Sequence, residues 1–398
     1  MICMLFAIQV QASVEVDISE RTVRYLGRWT DDTNGHSMNW PLSGVEFTFS
    51  GTKAQMYVSS KTGTVYVNVS VDGKMERVKI PSSGWVTLAE NLKSGTHTIS
   101  MTRSSEAWSG KLWISKVRTD GSISMPTQEK DRKILFVGDS YTAGYGNLAS
   151  DGTVVDYTDA WNTWAGFASR ELDADAHVIA LAGKGILNGR SNDVTMPREF
   201  EYADCVTGAE MSVQWEHSQF QPQVIVVFLA TNDGEYGIEE FCDAYVTFLS
   251  NMRKEYPHAT IICCGKPDVK SGTNPSDLQT TCVTEIVKRM GGKEKGYESL
   301  TLTSFRTSGI HSHPLASEQR MMADELISYL NQKEHLWGEK VSEPKFSKTD
   351  KTTSVTYTVK NLEARSKNNT AILSSSNEKG GVRTINAVSV KTKQILPG

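Results

Sequence analysis

The sequence predicts an α/β chain of two joined domains: an antiparallel β-sandwich or jelly roll, then a parallel sheet covered on both faces by helices. Two patterns carry this expectation. Over residues 13–125, short runs alternate apolar and polar side chains between turn signals, as half-buried strands do. Over residues 130–335, short unbroken apolar runs alternate with segments of helical period, as strands buried on both faces beneath helices do. The 398 residues suit two to three domains at roughly 150 residues each.

The sandwich strands are read from Val45-Glu46-Phe47-Thr48-Phe49, Gln55–Val58, Val65–Val71 and Thr96–Met101. Asp72-Gly73-Lys74, Pro81–Gly84 and Lys93-Ser94-Gly95 punctuate them as turns. A linker from Thr119 to Thr127 follows. The buried strands of the second domain are read from Ile134–Val137, Val178–Leu181, Val224–Leu229 and Thr260–Cys264. Between and after them, residues 160–172, 238–256, 276–290 and 315–332 have helical period. Such sheets place their sites beyond the carboxyl ends of the strands. Residues 336–398 turn polar, with Ser354–Val359 as one expected strand in a short β-rich or disordered tail.

Composition excludes several classes. Apolar residues are 38% of the chain, too many for wholesale disorder, and no glycine repeat of collagen type occurs. Lys+Arg 42 against Asp+Glu 46 gives a net charge of −4, without the basic excess of a nucleic-acid binder. No apolar run reaches the roughly 18 residues of a membrane span. Met1–Val10 is apolar and Ala12 is small, which fits a signal-peptide remnant over residues 1–12 and a secreted or periplasmic protein. No Lys or Arg precedes Arg21, so a buried N-terminal strand is the alternative. The six cysteines form no CxxC pair and show no metal-ligand spacing. They are read as buried free thiols, with one disulfide involving Cys205 or Cys242 as the alternative.

Four segments carry chemistry. Gly138-Asp139-Ser140 follows the first buried strand and exposes a hydroxyl at the sheet edge, where a nucleophile must stand. Leu181-Ala182-Gly183-Lys184-Gly185 follows the second, and a glycine N–H there can face an oxyanion. Ala230-Thr231-Asn232-Asp233 follows the third and offers the Asn232 amide. His311-Ser312-His313-Pro314 precedes the last long helix and offers His313 as a base near neutral pH. Taken singly, each has a bland reading: a turn, an αL glycine, a helix cap, a capping histidine. Taken in order, all four fall on one edge of one sheet.

That order resembles the SGNH (GDSL-type) hydrolases. Tyr25-Leu26-Gly27-Arg28, Val69–Gly73, Gly95–Thr98, Arg103–Ala107, Ala182–Ile186, Met196-Pro197 and Phe241–Pro257 extend the resemblance to carbohydrate esterase family 2, over about residues 20–332. The resemblance implies a jelly roll followed by a flavodoxin-like α/β/α domain. It implies a monomeric, exported acetyl esterase acting on plant polysaccharide, without metal or cofactor. Carried over, Ser140 is the nucleophile and His313 the base, and Ser140, Gly183 and Asn232 form the oxyanion hole.

Three departures stand out. The Asp usual three residues before the catalytic His is Ile310, so a backbone carbonyl must orient the imidazole of a Ser–His dyad. Ala230 stands where Gly often precedes the Asn, and its small size predicts little effect. Ser312 replaces an aromatic residue. Sugar contacts are assigned to Trp215 and Tyr236, in loop-like contexts, whereas Trp161 and Trp164 are spaced as one helix face and assigned to the core. Trp29, Trp40 and Trp108 form a binding platform or fill the sandwich. The alternative functions are a catalytically inert carbohydrate-binding protein of the same fold, and an SGNH lipase or thioesterase.

Overall fold

The computed structural model describes residues 13–61, 63–124, 127–189, 193–205, 213–266 and 278–338, with short backbone segments beyond. The apolar stretch 1–12 and Cys3 lie outside the described residues.

The first domain is two antiparallel sheets face to face. One runs Thr30–Asp32, Gly35–Ser37, Lys111–Thr119, Ala54–Lys61, Ser83–Ala89, with Val14–Asp17 also on Lys111–Thr119. The other runs Ser122–Ile123, Gly44–Gly51, Gly95–Arg103, Tyr66–Val71, Lys74–Lys79, with Arg24–Leu26 on Gly44–Gly51. The period of two decides the packing. Val45, Phe47 and Phe49 point inward with Met56, Val58, Val67, Val69, Ile99, Met101, Leu112 and Ile114, forming one core. Asp72 and Gly73 both have positive φ, 49° and 84°, the requirement of the tight turn that joins Tyr66–Val71 to Lys74–Lys79.

The second domain is a five-stranded parallel sheet of Arg132–Gly138, Ala174–Ala180, Val224–Phe228, Thr260–Gly265 and Tyr297–Thr301. In space the second strand comes first, then the first, third, fourth and fifth. This flavodoxin-like order puts a switch point between the first and third strands. Ile134 and Phe136 face the helices Trp164–Glu171 and Ala316–Asn331. Leu135 and Val137 face Ile238–Glu255 and Leu278–Arg289. Burial on both faces is why these strands read as unbroken apolar runs. The fifth strand, at one edge of the sheet, has no such run: it is half polar, and periodicity did not single it out.

Buried polar contacts join the domains. Arg28 donates to the carbonyls of Phe200 and Tyr202. Asp204 accepts from Ser37 and Asn39, and Asp159 from Asn68 and Ser104, all at 2.9–3.0 Å. Arg24 bridges Glu46 and Asp175. Trp40 is fully buried and packs with the second domain's core.

Cys205, Cys242, Cys263, Cys264 and Cys282 are buried free thiols, and the described residues contain no disulfide. Residues 338–398 form a separate unit, in which Lys345–Lys348 pairs with Thr353–Thr356 and two shorter ladders occur. Among the described residues no helix is long and apolar enough to cross a membrane.

Candidate active site

The first strand ends at Gly138, where a Cβ would lie 2.1 Å from the Thr142 hydroxyl, so only glycine lets the chain turn this tightly. Asp139 then caps the short helix Ser140–Ala143, accepting from the Tyr141 N–H at 2.9 Å. Burial pushes the Asp139 carboxyl up to about 7. Ser140 stands at the helix start with its Oγ 2.8 Å from His313 Nε2.

The tautomer of His313 follows from its other nitrogen. Nδ1 lies 3.1 Å from the Ile310 carbonyl and 3.0 Å from that of His311. Carbonyls only accept, so Nδ1 carries the proton and Nε2 presents its lone pair to Ser140. These two carbonyls occupy the role a carboxylate would fill. They point back at the ring because His311 and Ser312 both take left-handed conformations, φ 52° and 59°, which cost a non-glycine residue about 1 kcal/mol or more each. Packing holds this turn. Ile310 is buried against Gly146, where a Cβ would approach Ile310 Cβ to 2.7 Å. Glu318 accepts from the Ser308 N–H and hydroxyl and from the Leu315 N–H, gripping the loop on both sides of His313. Tyr145 and Tyr141 flank the imidazole, ring centroids 4.4 and 5.3 Å away. Burial holds His313 below the ordinary histidine range, against the opposing pull of the two carbonyls.

Gly183 and Asn232 arrive at the same cleft from the second and third strands. Gly183 has φ 81°, the positive φ that a glycine turn takes freely. The Asn232 amide donates to the Lys184 carbonyl at 2.9 Å. That bond fixes the orientation of the side chain and leaves its second N–H for another acceptor. Asn232 is therefore no helix cap: the following helix is capped by Gly237. Asp233 fastens the turn instead, accepting from the N–H groups of Ile186, Leu187 and Asn188 at 2.9–3.0 Å. Gly185 makes room, since a Cβ there would lie 2.3 Å from Asp233 Oδ1. Ala230 has φ 112°, a region glycine occupies freely and alanine does not. Its small size was the wrong criterion; the strain is in the backbone.

Ser140, Tyr141, Tyr145, Ala182, Gly183, Thr231, Asn232, His311, Ser312 and His313 line a cleft of about 640 Å³. The four expected chemical residues meet there. The expected sugar contacts do not. Trp215 is only 7% exposed and packs in the core against His177 and Arg28, so the assignment to substrate is corrected. Its loop context in the sequence hid a side chain folded under Arg28. Tyr236 donates to the Leu187 carbonyl and is not among the lining residues. Trp164 is fully buried, but it opens the helix Trp164–Glu171, whereas Trp161 lies half-buried under Arg170 in the preceding turn Ala160–Asn162, so the two do not share one helix face; Trp108 is exposed. Sequence reading missed Tyr145 and Thr231 as cleft walls, and Asp233 and Glu318 as the fasteners of its two loops.

Two family models match in tandem: Carbohydrate esterase 2 N-terminal over residues 25–126, and the GDSL-like Lipase/Acylhydrolase family over residues 136–294. With the fold described above, these give the chain a sandwich matching the carbohydrate esterase 2 N-terminal domain, followed by a sheet domain matching the GDSL-like lipase/acylhydrolases. That is the domain arrangement of the family 2 carbohydrate esterases. It is 29% identical over 335 residues to the cellulase/esterase CelE of Acetivibrio thermocellus, covering 78% of this chain and 39% of that longer protein. It is 24% identical over 329 residues to an acetylxylan esterase / glucomannan deacetylase of Cellvibrio japonicus, covering 79% of this chain and 89% of that one. A family two carbohydrate esterase from Clostridium thermocellum, solved in complex with cellohexaose, superposes with TM-score 0.71 at 28% identity, covering 79% of this chain and 99% of that one.

Proposed function

We propose that the protein is an exported carbohydrate acetyl esterase that removes O-acetyl groups from plant polysaccharide of the xylan or glucomannan type. The observation that carries this reading is the 2.8 Å approach of Ser140 Oγ to His313 Nε2, in a cleft that Gly183 and Asn232 also line. Ser140 Oγ attacks the acetyl carbonyl carbon while its proton passes to Nε2. Negative charge gathers on the carbonyl oxygen, where the N–H groups of Ser140 and Gly183 and the Asn232 amide receive it. The tetrahedral adduct collapses, the sugar oxygen leaves with the proton from Nε2, and acetyl-Ser140 remains. Water, activated by the same imidazole, releases acetate and restores the hydroxyl. The imidazolium formed at each step faces two carbonyl dipoles rather than a carboxylate.

The acetyl and carbohydrate parts of the reading are supported by what the relatives are named for. A polymer of this kind is met outside the cell, which agrees with the apolar N-terminal stretch. The test is acetate release from acetylated xylan and acetylated glucomannan, with a series of acyl esters of increasing chain length. The reading expects turnover that Ser140→Ala abolishes and a preference for acetyl over butyryl. Retained turnover in Ser140→Ala would sink it, and preference for long acyl chains would favour a lipase or thioesterase.

A further inference from the structure

We infer that Glu106, supplied by the sandwich domain, is a positioning residue for the oxyanion-binding turn, holding Gly183 in place through the N–H of its neighbour Ala182. The inference rests on the esterase reading only for which group Gly183 serves.

The Glu106 side chain is 1% exposed. Its Oε2 accepts from the Ala182 N–H at 2.7 Å, across 76 residues of sequence and from one domain to the other. Ala182 and Gly183 both line the cleft. Asp233 fastens the far side of this loop at Ile186, Leu187 and Asn188. Glu106 is the corresponding anchor on the near side, one peptide from the glycine whose N–H must meet the oxyanion. The anchor is itself fixed. The buried Arg103 guanidinium donates to the main-chain carbonyls of Ser105, Glu106 and Gly110 and to Asn39 Oδ1. A rigid acceptor on a second domain thus sets the position of a backbone donor, where a displacement of about 1 Å can cost on the order of 100-fold in rate.

A carboxylate beside an oxyanion would oppose it, and the surroundings of Glu106 remove that conflict. Burial pushes its carboxyl up to about 8; Asp139 adds to the rise, while the Ala182 N–H, Trp108 and Arg103 oppose it. At neutral pH the group is mostly protonated, so it holds the turn as an uncharged acceptor. Above about pH 8 it ionises, and the charge works against the developing oxyanion.

The experiment compares wild type, Glu106→Ala and Glu106→Gln by kcat and KM on a chromogenic acetate ester from pH 6 to 10. The same proteins are treated with an organophosphonate, whose tetrahedral adduct on Ser140 needs the oxyanion site but no sugar. Near-ultraviolet circular dichroism checks that each variant is folded. Glu106→Ala is expected to lose about 10- to 100-fold in kcat and in phosphonylation rate with little change in KM. Glu106→Gln, which keeps an acceptor for Ala182, is expected to restore most of that loss. It should also lack the decline expected of wild type above about pH 8. A folded Glu106→Ala with wild-type kcat and phosphonylation rate overturns the inference, and so does a Glu106→Gln as impaired as Glu106→Ala. If wild type releases no acetate yet phosphonylation still depends on Glu106, the acetyl esterase reading fails and the positioning role stands.

Discussion

Ser140 Oγ and His313 Nε2 lie 2.8 Å apart although 173 positions separate them in the chain. One follows the first strand and the other precedes the last helix of the sheet domain, so the contact exists only once the sheet is assembled. If the pair acts as one unit, Ser140→Ala and His313→Ala should each lower kcat/KM on a chromogenic acetate ester by at least about 10³-fold. The double variant should be scarcely worse than either single one, because neither half works alone. Additive losses would show that the two act independently.

The acid side of the pH profile reports His313. Its burial lowers the imidazole pKa from 6.5, so the ring is already neutral at pH 7 and its lone pair is available to the serine. Acidification protonates Nε2 and removes the acceptor. The acid limb of kcat/KM should therefore have its midpoint below 6.5. A midpoint at or above that value contradicts the assignment.

Asn232 can be tested by charge as well as by deletion. Asn232→Ala removes one oxyanion donor and should lower kcat by about 10²- to 10³-fold with KM little changed. Asn232→Asp also loses the donor to the Lys184 carbonyl and places a carboxylate at the oxyanion, so its loss should be larger. Steady-state kinetics on the same ester decide the order.

Restoring the usual carboxylate should not help. Ile310 is 3% exposed and packs against Gly146, while its carbonyl already accepts from His313 Nδ1. Ile310→Asp should cost about 3 kcal/mol of stability through lost packing and a buried carboxyl. Denaturant unfolding reads that loss, and kcat/KM is expected not to exceed wild type.

Ala230 makes the opposite prediction. Its φ of 112° is a glycine conformation. Ala230→Gly should relieve strain of about 1 kcal/mol, less the greater backbone freedom glycine gains on unfolding. A small rise in the thermal midpoint, by about 2–4 °C at most, is expected with activity retained. A lower midpoint would place the strain elsewhere.

The sheet domain was legible where burial leaves a periodic trace. Ile134–Val137 and Val224–Leu229 read as buried strands because both of their faces meet helices. Tyr297–Thr301 did not, because three of its five residues, Glu298, Ser299 and Thr301, are polar and its last three positions are not buried. In the sandwich, Lys111–Thr119 is central yet was not legible, because Leu112, Trp113 and Ile114 are buried in a row and a bulge between Ile114 and Lys116 breaks its alternation. The positions Ser140, Gly183, Asn232 and His313 were legible because each follows or precedes an element whose end could be located. Trp215 was misread because loop context says nothing of which way an indole turns.

The sequence alone determined the two domains, the order of the strand ends and the four residues gathered at them, because local periodicity records which face each element buries. Only the tertiary structure decided what completes the site: the Ile310 and His311 carbonyls at His313, Asp233 beneath the turn, and Glu106 reaching Ala182 from the other domain. These depend on left-handed backbone at His311 and Ser312 and on contacts between distant segments. Packing over-determines such conformations; no local preference encodes them.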